Sequence, residues 1–159
     1  METPSATPLP HALPELTDHL GFWLRAVSNH VSHAFAAKLD GKGVTVAEWV
    51  MLRALHDTPP AAPSRLAATM GMTRGAITRL ADRLIAKGLM VRAAHPDDGR
   101  AQTLALTPEG AALLPELAAL ADRNDAETFD VLSADERETL SRLLKKMVAH
   151  RRILAMPLD

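Results

Sequence analysis

The chain has 159 residues, 47% of them hydrophobic, and a formal net charge of −1. This length allows one compact module with a buried core, and the lack of any cysteine excludes disulfides, thiolate zinc sites and thiol redox sensing. No apolar run reaches membrane-spanning length, and the proline-rich segment 1–14 lacks the charged and apolar regions of a signal peptide. We therefore expect a cytoplasmic protein with a flexible N-terminal tail and no membrane association.

Two helices are predicted in the first third of the chain. The first covers about residues 16–39 and ends at the Asp-Gly-Lys-Gly break of 40–43. Its apolar side chains cover such a wide arc that we expect the helix to pack on two sides, which suits a dimer. The second helix begins after Thr45, which forms a capping box with Glu48, and it stops at 57–60.

The middle of the chain predicts a helix-turn-helix followed by a hairpin. Pro63 opens a short helix, Gly71 closes it in the left-handed conformation, and Thr73 caps the next helix. The hydrophobic period then changes to that of two short strands, 89–94 and 101–106. A two-stranded hairpin directly after the second helix of the motif makes it a winged one.

The predicted fold class is mainly α with one small antiparallel β-hairpin. Two further helices follow the hairpin, and they begin after the caps Thr107 and Ser133. The expected organisation is a flexible tail, a dimerisation helix, a winged helix-turn-helix DNA-binding lobe and C-terminal dimerisation helices. These four parts correspond to residues 1–14, 15–44, 45–107 and 108–159.

Positive charge is concentrated in the middle of the chain. Residues 61–107 contain seven Lys and Arg against three Asp, a net charge of +4, whereas residues 1–60 and 108–159 have net charges of −2 and −3. A basic centre between acidic flanks indicates a surface for phosphate groups. A solvated charged face without a ligand is the alternative that charge alone leaves open.

The predicted second helix of the motif has the pattern of a recognition helix. One face is apolar, and the opposite face presents Arg74, Thr78 and Arg79, with Arg83 one turn further on. Arginine pairs with guanine in a bidentate manner, a threonine methyl contacts thymine, and Gly75 permits a close backbone approach to DNA. An ordinary amphipathic helix with idle exposed arginines is the alternative.

The hairpin tip carries the second candidate DNA contact. Arg100 stands beside turn residues, where a guanidinium reaches a narrow minor groove. Asp98 is expected to orient that guanidinium. The alternative is a solvated turn in which an Asp98–Arg100 pair contributes little.

Three segments resemble the MarR family of winged-helix regulators. They are 73–84 (TRGAITRLADRL), 87–92 (KGLMVR) and the stretch from Asp98-Gly99-Arg100 to Leu106-Thr107-Pro108-Glu109-Gly110. The spacing from the wing Asp and Arg to the Leu-Thr-x-x-Gly segment is the most specific feature. The resemblance covers about residues 16–152.

The resemblance implies an obligate homodimer, in which the first and the last two helices intertwine, on an inverted-repeat operator in double-stranded DNA. It also places Ser64 as a phosphate contact. The full set of expected DNA-binding residues is Ser64, Thr73, Arg74, Gly75, Thr78, Arg79, Arg83, Asp98 and Arg100. The expected function is a sequence-specific transcriptional regulator, with repression as the expected mode.

Members of this family often release DNA when a small aromatic or anionic compound binds. Both tryptophans of this chain fall on the first two predicted helices, beside His and Arg, as an aromatic wall with a nearby cation requires. The candidate effector residues are Trp23, His30, Trp49, Arg53 and His56. The alternative is that the tryptophans fill the core and the polar residues cover its edge.

Other functions have weaker support. His19, His30 and His33 share a helix sector, but no Asp or Glu shares it closely, so an interfacial role is favoured over a metal site. The chain has no glycine-rich phosphate loop, no cysteine and no Gly-x-Ser-x-Gly, so we expect neither an enzyme nor a cofactor. A helical protein-interaction module is the remaining alternative; DNA binding that weakens steeply with salt would distinguish the regulator from it.

Overall fold

The computed structural model describes residues 13–58, 60–95, 97–151 and 153. The elements in chain order are a 3-10 turn, six helices and two strands: Leu16–Asp18, α1 (Leu20–Asp40), α2 (Val46–His56), α3 (Pro63–Met70), α4 (Arg74–Ala86), β1 (Met90–His95), β2 (Asp98–Leu106), α5 (Pro108–Thr128) and α6 (Ala134–Arg151). The predicted fold class, mainly α with one antiparallel hairpin, is confirmed. The chain divides into two compact units, Met1–His30 and Val31–Asp159.

The described part of the N-terminal unit buries no side chain. The Glu15 N–H donates to Asp18 Oδ2 at 2.9 Å, which closes the 3-10 turn, and the predicted helix therefore starts at Leu20 instead of near residue 16. The Trp23 indole N–H donates to the Thr17 carbonyl at 2.8 Å. Large apolar side chains remain exposed along this unit: Leu13, Leu16, Leu20, Phe22, Trp23, Leu24 and Val27.

The caps expected from the sequence delimit α2, α3 and α4. Thr45 and Glu48 form the reciprocal capping box at the start of α2. Pro63 occupies the first turn of α3, and Gly71 ends it with φ +64°. The Thr73 hydroxyl accepts from the Ala76 N–H at 3.2 Å, which satisfies one of the free amides at the start of α4.

One hydrophobic core joins the end of α1, helices α2 to α4, the hairpin and the first half of α5. Its largest fully buried apolar side chains are Leu39, Met51, Leu52, Met70, Ile77, Leu80, Leu84, Met90, Leu104 and Leu117. The core therefore extends past residue 107 into α5, because Leu114 and Leu117 are buried in it and α5 contacts both α2 and β2.

The hairpin is longer and more irregular than the sequence predicts. The strands reach His95 and Asp98, and the register changes between Ala94, which pairs with Gln102, and His95, which pairs with Asp98. Residues 99–101 therefore have no partner in β1. At the other end, the Ala61 N–H and carbonyl exchange hydrogen bonds of 3.0 and 2.8 Å with Leu104, so an isolated bridge attaches the segment before α3 to β2.

Gly110 sits where the chain leaves the hairpin and α5 begins. A Cβ at this position would lie 2.0 Å from the Leu89 carbonyl oxygen, so only glycine fits. The Thr107 hydroxyl donates to the Gly88 carbonyl at 2.7 Å and accepts from the Gly110 N–H at 3.0 Å. This close junction gives a physical reason for the Leu-Thr-x-x-Gly segment.

The last helix follows the second predicted capping box. The Ser133 N–H donates to Glu136 and the Glu136 N–H donates to Ser133. Helix α6 has no buried residue, and its large apolar side chains are exposed: Leu143, Leu144, Met147 and Val148. Within the part of the chain that the structure describes, no helix combines the length and apolar character needed to cross a bilayer.

Candidate nucleic-acid interface

Helix α4 separates an apolar face from a cationic face, as its sequence predicts. Ile77, Leu80, Ala81 and Leu84 are buried in the core. The remaining face is exposed, and it carries Arg74, Gly75, Thr78, Arg79, Asp82 and Arg83. The apolar residues fix which side of the helix is turned to solvent, so the candidate contacts are presented outward.

The N-terminal turns of α4 leave room for another molecule close to the helix backbone. The Thr78 hydroxyl donates to the Arg74 carbonyl at 3.0 Å. A Cβ built on Gly75 would meet only the Arg79 Nη1 at 3.7 Å, an ordinary contact. The fold itself therefore does not require glycine at 75, which leaves open space beside the backbone for a ligand.

Helix α3 supplies the other candidate contact of the helix-turn-helix. Ser64 is exposed in the first turn of α3, directly after Pro63. The neighbouring Arg65 is exposed as well. Neither side chain contributes a cap to α3, because its N-cap is Ala62 and makes no side-chain hydrogen bond.

In the hairpin, Asp98 acts on the backbone instead of on the guanidinium. Asp98 Oδ1 accepts from the Arg100 N–H at 3.0 Å. Among the described residues, no ion pair joins the two side chains, which corrects the expected Asp98–Arg100 pairing. Arg100 lies in the unpaired bulge of β2, where its exposed side chain pairs with no acidic residue of the described part of the chain.

A buried carboxylate holds two of the seven cations of the basic centre. Glu48 is 0% exposed, and Oε2 accepts from Lys87 Nζ at 2.7 Å while Oε1 accepts from Arg83 Nε at 3.3 Å. We call these three residues the Glu48 cluster. Arg83 is therefore partly engaged within the lobe, and its contact with DNA stays a prediction.

The electrostatics of the Glu48 cluster favour the charged carboxylate. Burial raises the pKa of Glu48, but hydrogen bonds from Lys87 and the Thr45 N–H, and the positive charge of Lys87, outweigh burial and bring the pKa below its ordinary value. The bond from Arg83 acts in the same direction. Glu48 is thus an anion that stabilises the packing of the end of α4 against α2.

A third cation ties the hairpin to α4. Arg92 Nη2 of β1 lies 2.8 Å from Asp82 Oδ1 of α4. The four remaining cations of residues 61–107 have no acidic partner within the described ranges: Arg65, Arg74, Arg79 and Arg100. The surplus positive charge is therefore left on α3, α4 and the bulge of β2.

The candidate effector residues of α2 line two neighbouring grooves. One, of about 380 Å³, is lined by Trp49, Val50, Arg53, Ala54 and Asp57, and we call it the Trp49 groove. The other, of about 220 Å³, is lined by Arg53 and His56 of α2 and by Leu114, Pro115 and Ala118 of α5.

Trp49 and Arg53 are also held by neighbours in the fold. Trp49 packs edge-on against Phe35, with ring centroids 6.3 Å apart. Arg53 forms an ion pair with Asp57. Trp49 therefore lies at the edge of the core and also forms part of a groove wall, and its role in effector binding stays a prediction.

The other two candidate effector residues, Trp23 and His30, belong to the N-terminal unit. Trp23 is 53% exposed and stacks edge-on against Phe22 at 5.2 Å. His30 is exposed. Across residues 13–58, 60–95, 97–151 and 153, no three His, Asp or Glu side chains form a group that could hold a metal ion.

Sequence reasoning missed the Glu48 cluster and the Arg92–Asp82 pair. The sequence predicts only a capping role for Glu48, although this residue stands among apolar residues of α2 at a position that faces the core. The signal for its partners is the spacing of Arg83, in the last turn of α4, and Lys87, its C-cap, because residues four apart lie on the same side of a helix. The distance in sequence, 35 and 39 residues, hid the pairing.

Comparison with known proteins agrees with this geometry. A model of the MarR family matches residues 42–101. A protein of Thauera aromatica named "Putative transcriptional regulatory protein for hcr operon" is 33% identical over 133 residues, 83% of this chain and 80% of that protein. The chain belongs to the MarR family. The HTH-type transcriptional repressor NicR of Pseudomonas putida is 29% identical over 92% of both chains.

Two solved structures place this MarR-family protein among DNA-binding and ligand-responsive relatives. A mutant of MarR from E. coli in complex with operator DNA has a TM-score of 0.74 and 30% identity, over 81% of this chain and 93% of that one. BpsR of Bordetella bronchiseptica, whose DNA binding is regulated by 6-hydroxynicotinic acid, has a TM-score of 0.76 and 26% identity, over 86% and 97%. The protein is thus a DNA-binding transcriptional regulator of the family.

Proposed function

We propose that this MarR-family protein is a repressor that binds an inverted-repeat operator as a homodimer and is released by a small aromatic or anionic effector. The proposed DNA-binding surface rests on one observation: only some of the Lys and Arg side chains of residues 61–107 are paired with carboxylates. Three have carboxylate partners within the lobe, whereas Arg74, Arg79 and Arg100 are exposed on α4 and β2 without an acidic partner among the described residues. Unpaired guanidinium groups on a helix and a hairpin suit the two grooves of a duplex.

The proposed contacts divide between base reading and positioning. Arg74, Thr78 and Arg79 read the major groove from α4, and Arg100 enters the minor groove from β2. Ser64 and the N-terminal amides of α4 near Thr73 contact phosphates, since the positive end of a helix favours an anion. Gly75 lets the DNA backbone approach, and Asp98 shapes the bulge that presents Arg100.

The proposed homodimer is supported by apolar surface that the single chain leaves uncovered. The described part of the N-terminal unit exposes a run of large apolar side chains, and α6 exposes Leu143, Leu144, Met147 and Val148. Contiguous exposed apolar faces of this kind mark protein interfaces. A two-fold dimer covers each face and matches an operator with inverted repeats. The named relative NicR, a repressor, supports repression as the mode.

The effector is proposed to occupy the Trp49 groove, with Trp23, His30 and His56 as further candidates. An indole wall beside the Arg53 guanidinium suits a flat ligand with a negative charge. Arg53 already pairs with Asp57, so a carboxylate ligand would compete for that guanidinium. The regulation of the relative BpsR by 6-hydroxynicotinic acid supports this chemical class.

Selection of bound duplexes from random DNA tests the DNA-binding part of the proposal. The expected result is an enriched inverted repeat with half-sites about one helical turn apart. Enrichment of no sequence, with weak binding to every duplex, would refute sequence-specific recognition and favour the protein-interaction alternative.

Titration of the operator complex with aromatic acids tests the effector. The panel includes 6-hydroxynicotinic acid, and each compound is scored by release of labelled operator and by quenching of tryptophan fluorescence. With Trp23→Phe, Trp49 is the sole reporter, and Trp49→Phe is the matched variant that leaves only Trp23. A panel that neither quenches Trp49 nor releases DNA would refute an aromatic-acid effector at this groove.

A further inference from the structure

Glu48 is the one ionisable side chain, among the described residues, that is fully buried. Its carboxylate accepts from three donors: the Thr45 N–H at 2.9 Å, Lys87 Nζ at 2.7 Å and Arg83 Nε at 3.3 Å use both oxygens. The Glu48 backbone N–H in turn donates to the Thr45 hydroxyl. A capping role alone needs only the bonds with Thr45. The bonds with α4 therefore need another explanation.

The Glu48 cluster joins three separate segments. Lys87, the residue that ends α4, donates a second bond of 2.7 Å from Nζ to the Gly43 carbonyl, in the turn between α1 and α2. Glu48 lies in the first turn of α2. The turn before α2, the start of α2 and the end of α4 are thus fastened at one point.

These bonds supply what the apolar contacts of α4 do not. Burial of Ile77, Leu80 and Leu84 fixes which face of α4 is turned inward, but hydrophobic burial is non-directional. Charge-assisted hydrogen bonds have defined length and direction, so they fix the rotation and the axial position of the helix. Recognition of base edges depends on such positioning, since each bidentate contact needs its own geometry.

The cluster also connects the recognition helix to the helix that lines the Trp49 groove. Glu48 and Trp49 are adjacent in α2, and Arg53 follows four residues after Trp49. A displacement of α2 by a bound ligand would therefore pull on the same carboxylate that holds Lys87 and Arg83.

We propose that Glu48 is a positioning residue for operator recognition, which fastens the end of α4 to α2 so that Arg74, Thr78 and Arg79 meet the bases in register. This inference rests on the proposed sequence-specific DNA binding. Glu48 itself does not contact DNA.

The test compares Glu48→Gln with wild type on the selected operator and on a scrambled duplex of the same length. We expect operator affinity to fall about tenfold, while affinity for the scrambled duplex does not fall, since non-specific binding depends on charge and the substitution removes a negative charge from the lobe. Glu116→Gln is the matched control. It removes a carboxylate that pairs with Lys42 at 2.6 Å on the exposed surface, and operator affinity should not change.

A double-mutant cycle separates positioning from loss of fold or of a direct contact. Lys87→Gln and Glu48→Gln should each weaken operator binding, and the double variant should be little weaker than either one. Circular dichroism and thermal unfolding identify the folded fraction, and Lys87→Gln keeps the inference testable if Glu48→Gln does not fold.

The outcomes are distinguishable. Equal losses on operator and scrambled duplex, or additive effects in the cycle, would overturn the positioning role and leave sequence-specific binding intact. A wild-type protein without any sequence preference would overturn the proposed function and, with it, this inference.

Discussion

Helices α4 and α6 differ in how much of each is buried and in which side chains face solvent. Of the 13 residues of α4, four are buried, and the outward face carries arginines. Of the 18 residues of α6, none is buried, and its apolar side chains are turned to solvent. An outward face rich in unpaired cations suits a polyanion, whereas an outward apolar face suits another protein surface. In the proposed function, α4 therefore meets DNA and α6 meets a second subunit.

The largest expected effect comes from placing a charge on the apolar face of α6. Met147 is 51% exposed in the single chain. If a partner subunit covers it, Met147→Glu buries an unpaired carboxylate, which costs about 3 kcal/mol or more per protomer. Sedimentation should detect monomers at concentrations where the wild type is dimeric. Arg142→Glu, on another face of α6, is the control that should remain dimeric; an unaffected Met147→Glu dimer would contradict the assignment of this face.

The junction between the hairpin and α5 depends on the close packing at Gly110. Gly110→Ala forces a Cβ into the Leu89 carbonyl, 2.0 Å away, so backbone must shift. We expect a loss of about 1–3 kcal/mol in the free energy of unfolding, measured by urea titration. At Gly41 a Cβ would meet nothing closer than 4.0 Å, so Gly41→Ala is the matched control. Equal stability of the two variants would refute the tight junction.

Removal of one guanidinium from α4 should alter base reading. Arg79→Ala should weaken operator binding by about 1–3 kcal/mol and relax base preference at one position of each half-site. Arg100→Ala should weaken binding with less effect on major-groove preference. Both variants should keep wild-type thermal stability, since neither side chain has an acidic partner in the described structure. Arg123→Ala removes the same charge from α5; an equal loss of affinity there would indicate a general charge effect.

The buried anion behind α4 should make stability depend on pH. Because the pKa of Glu48 is lowered in the folded protein, its contribution is present above the pKa of the unfolded chain, near 4.5. That contribution is lost as the pH falls through the folded-state value. Wild type should therefore exceed Glu48→Gln in stability at neutral pH, and the difference should shrink below about pH 4.5 in urea titrations. If the difference in stability between wild type and Glu48→Gln stays constant down to acid pH, the charge of the carboxylate does not stabilise the packing of α4.

The smallest effect is expected at Gly75. Its Cβ would make only an ordinary contact within the chain, so Gly75→Ala should leave the fold intact or stabilise α4 by up to about 1 kcal/mol. Operator affinity should nevertheless fall, by about tenfold or less, because the methyl group enters the space proposed for the DNA backbone. Higher stability together with unchanged affinity would remove Gly75 from the interface.

Local signals in the sequence were sufficient to predict the helices of the lobe. Pro63 begins α3 and Gly71 ends it, because each acts through its own backbone geometry. Thr73 caps α4, because its hydroxyl accepts from an amide three residues away. The spacing of apolar residues at three and four positions likewise predicted which face of α4 is exposed.

Features that depend on distant residues could not be read in this way. The partners of Glu48 lie at the end of another helix, and the bridge between Ala61 and Leu104 joins segments that are far apart in the sequence. The hairpin was predicted too short because turn-forming residues at 97–99 suggested a loop, although Asp98 pairs with His95 across a bulge. The roles of the candidate DNA and effector residues stay predictions.

The salt dependence of wild-type operator binding tests the central claim most directly. If exposed guanidinium groups of α3, α4 and β2 bind a duplex, the logarithm of the binding constant should fall steeply and linearly with the logarithm of the salt concentration. The slope should be about −0.9 for each phosphate that is neutralised. Affinity that stays constant as salt is raised, or no binding to DNA even at low salt, would contradict the account.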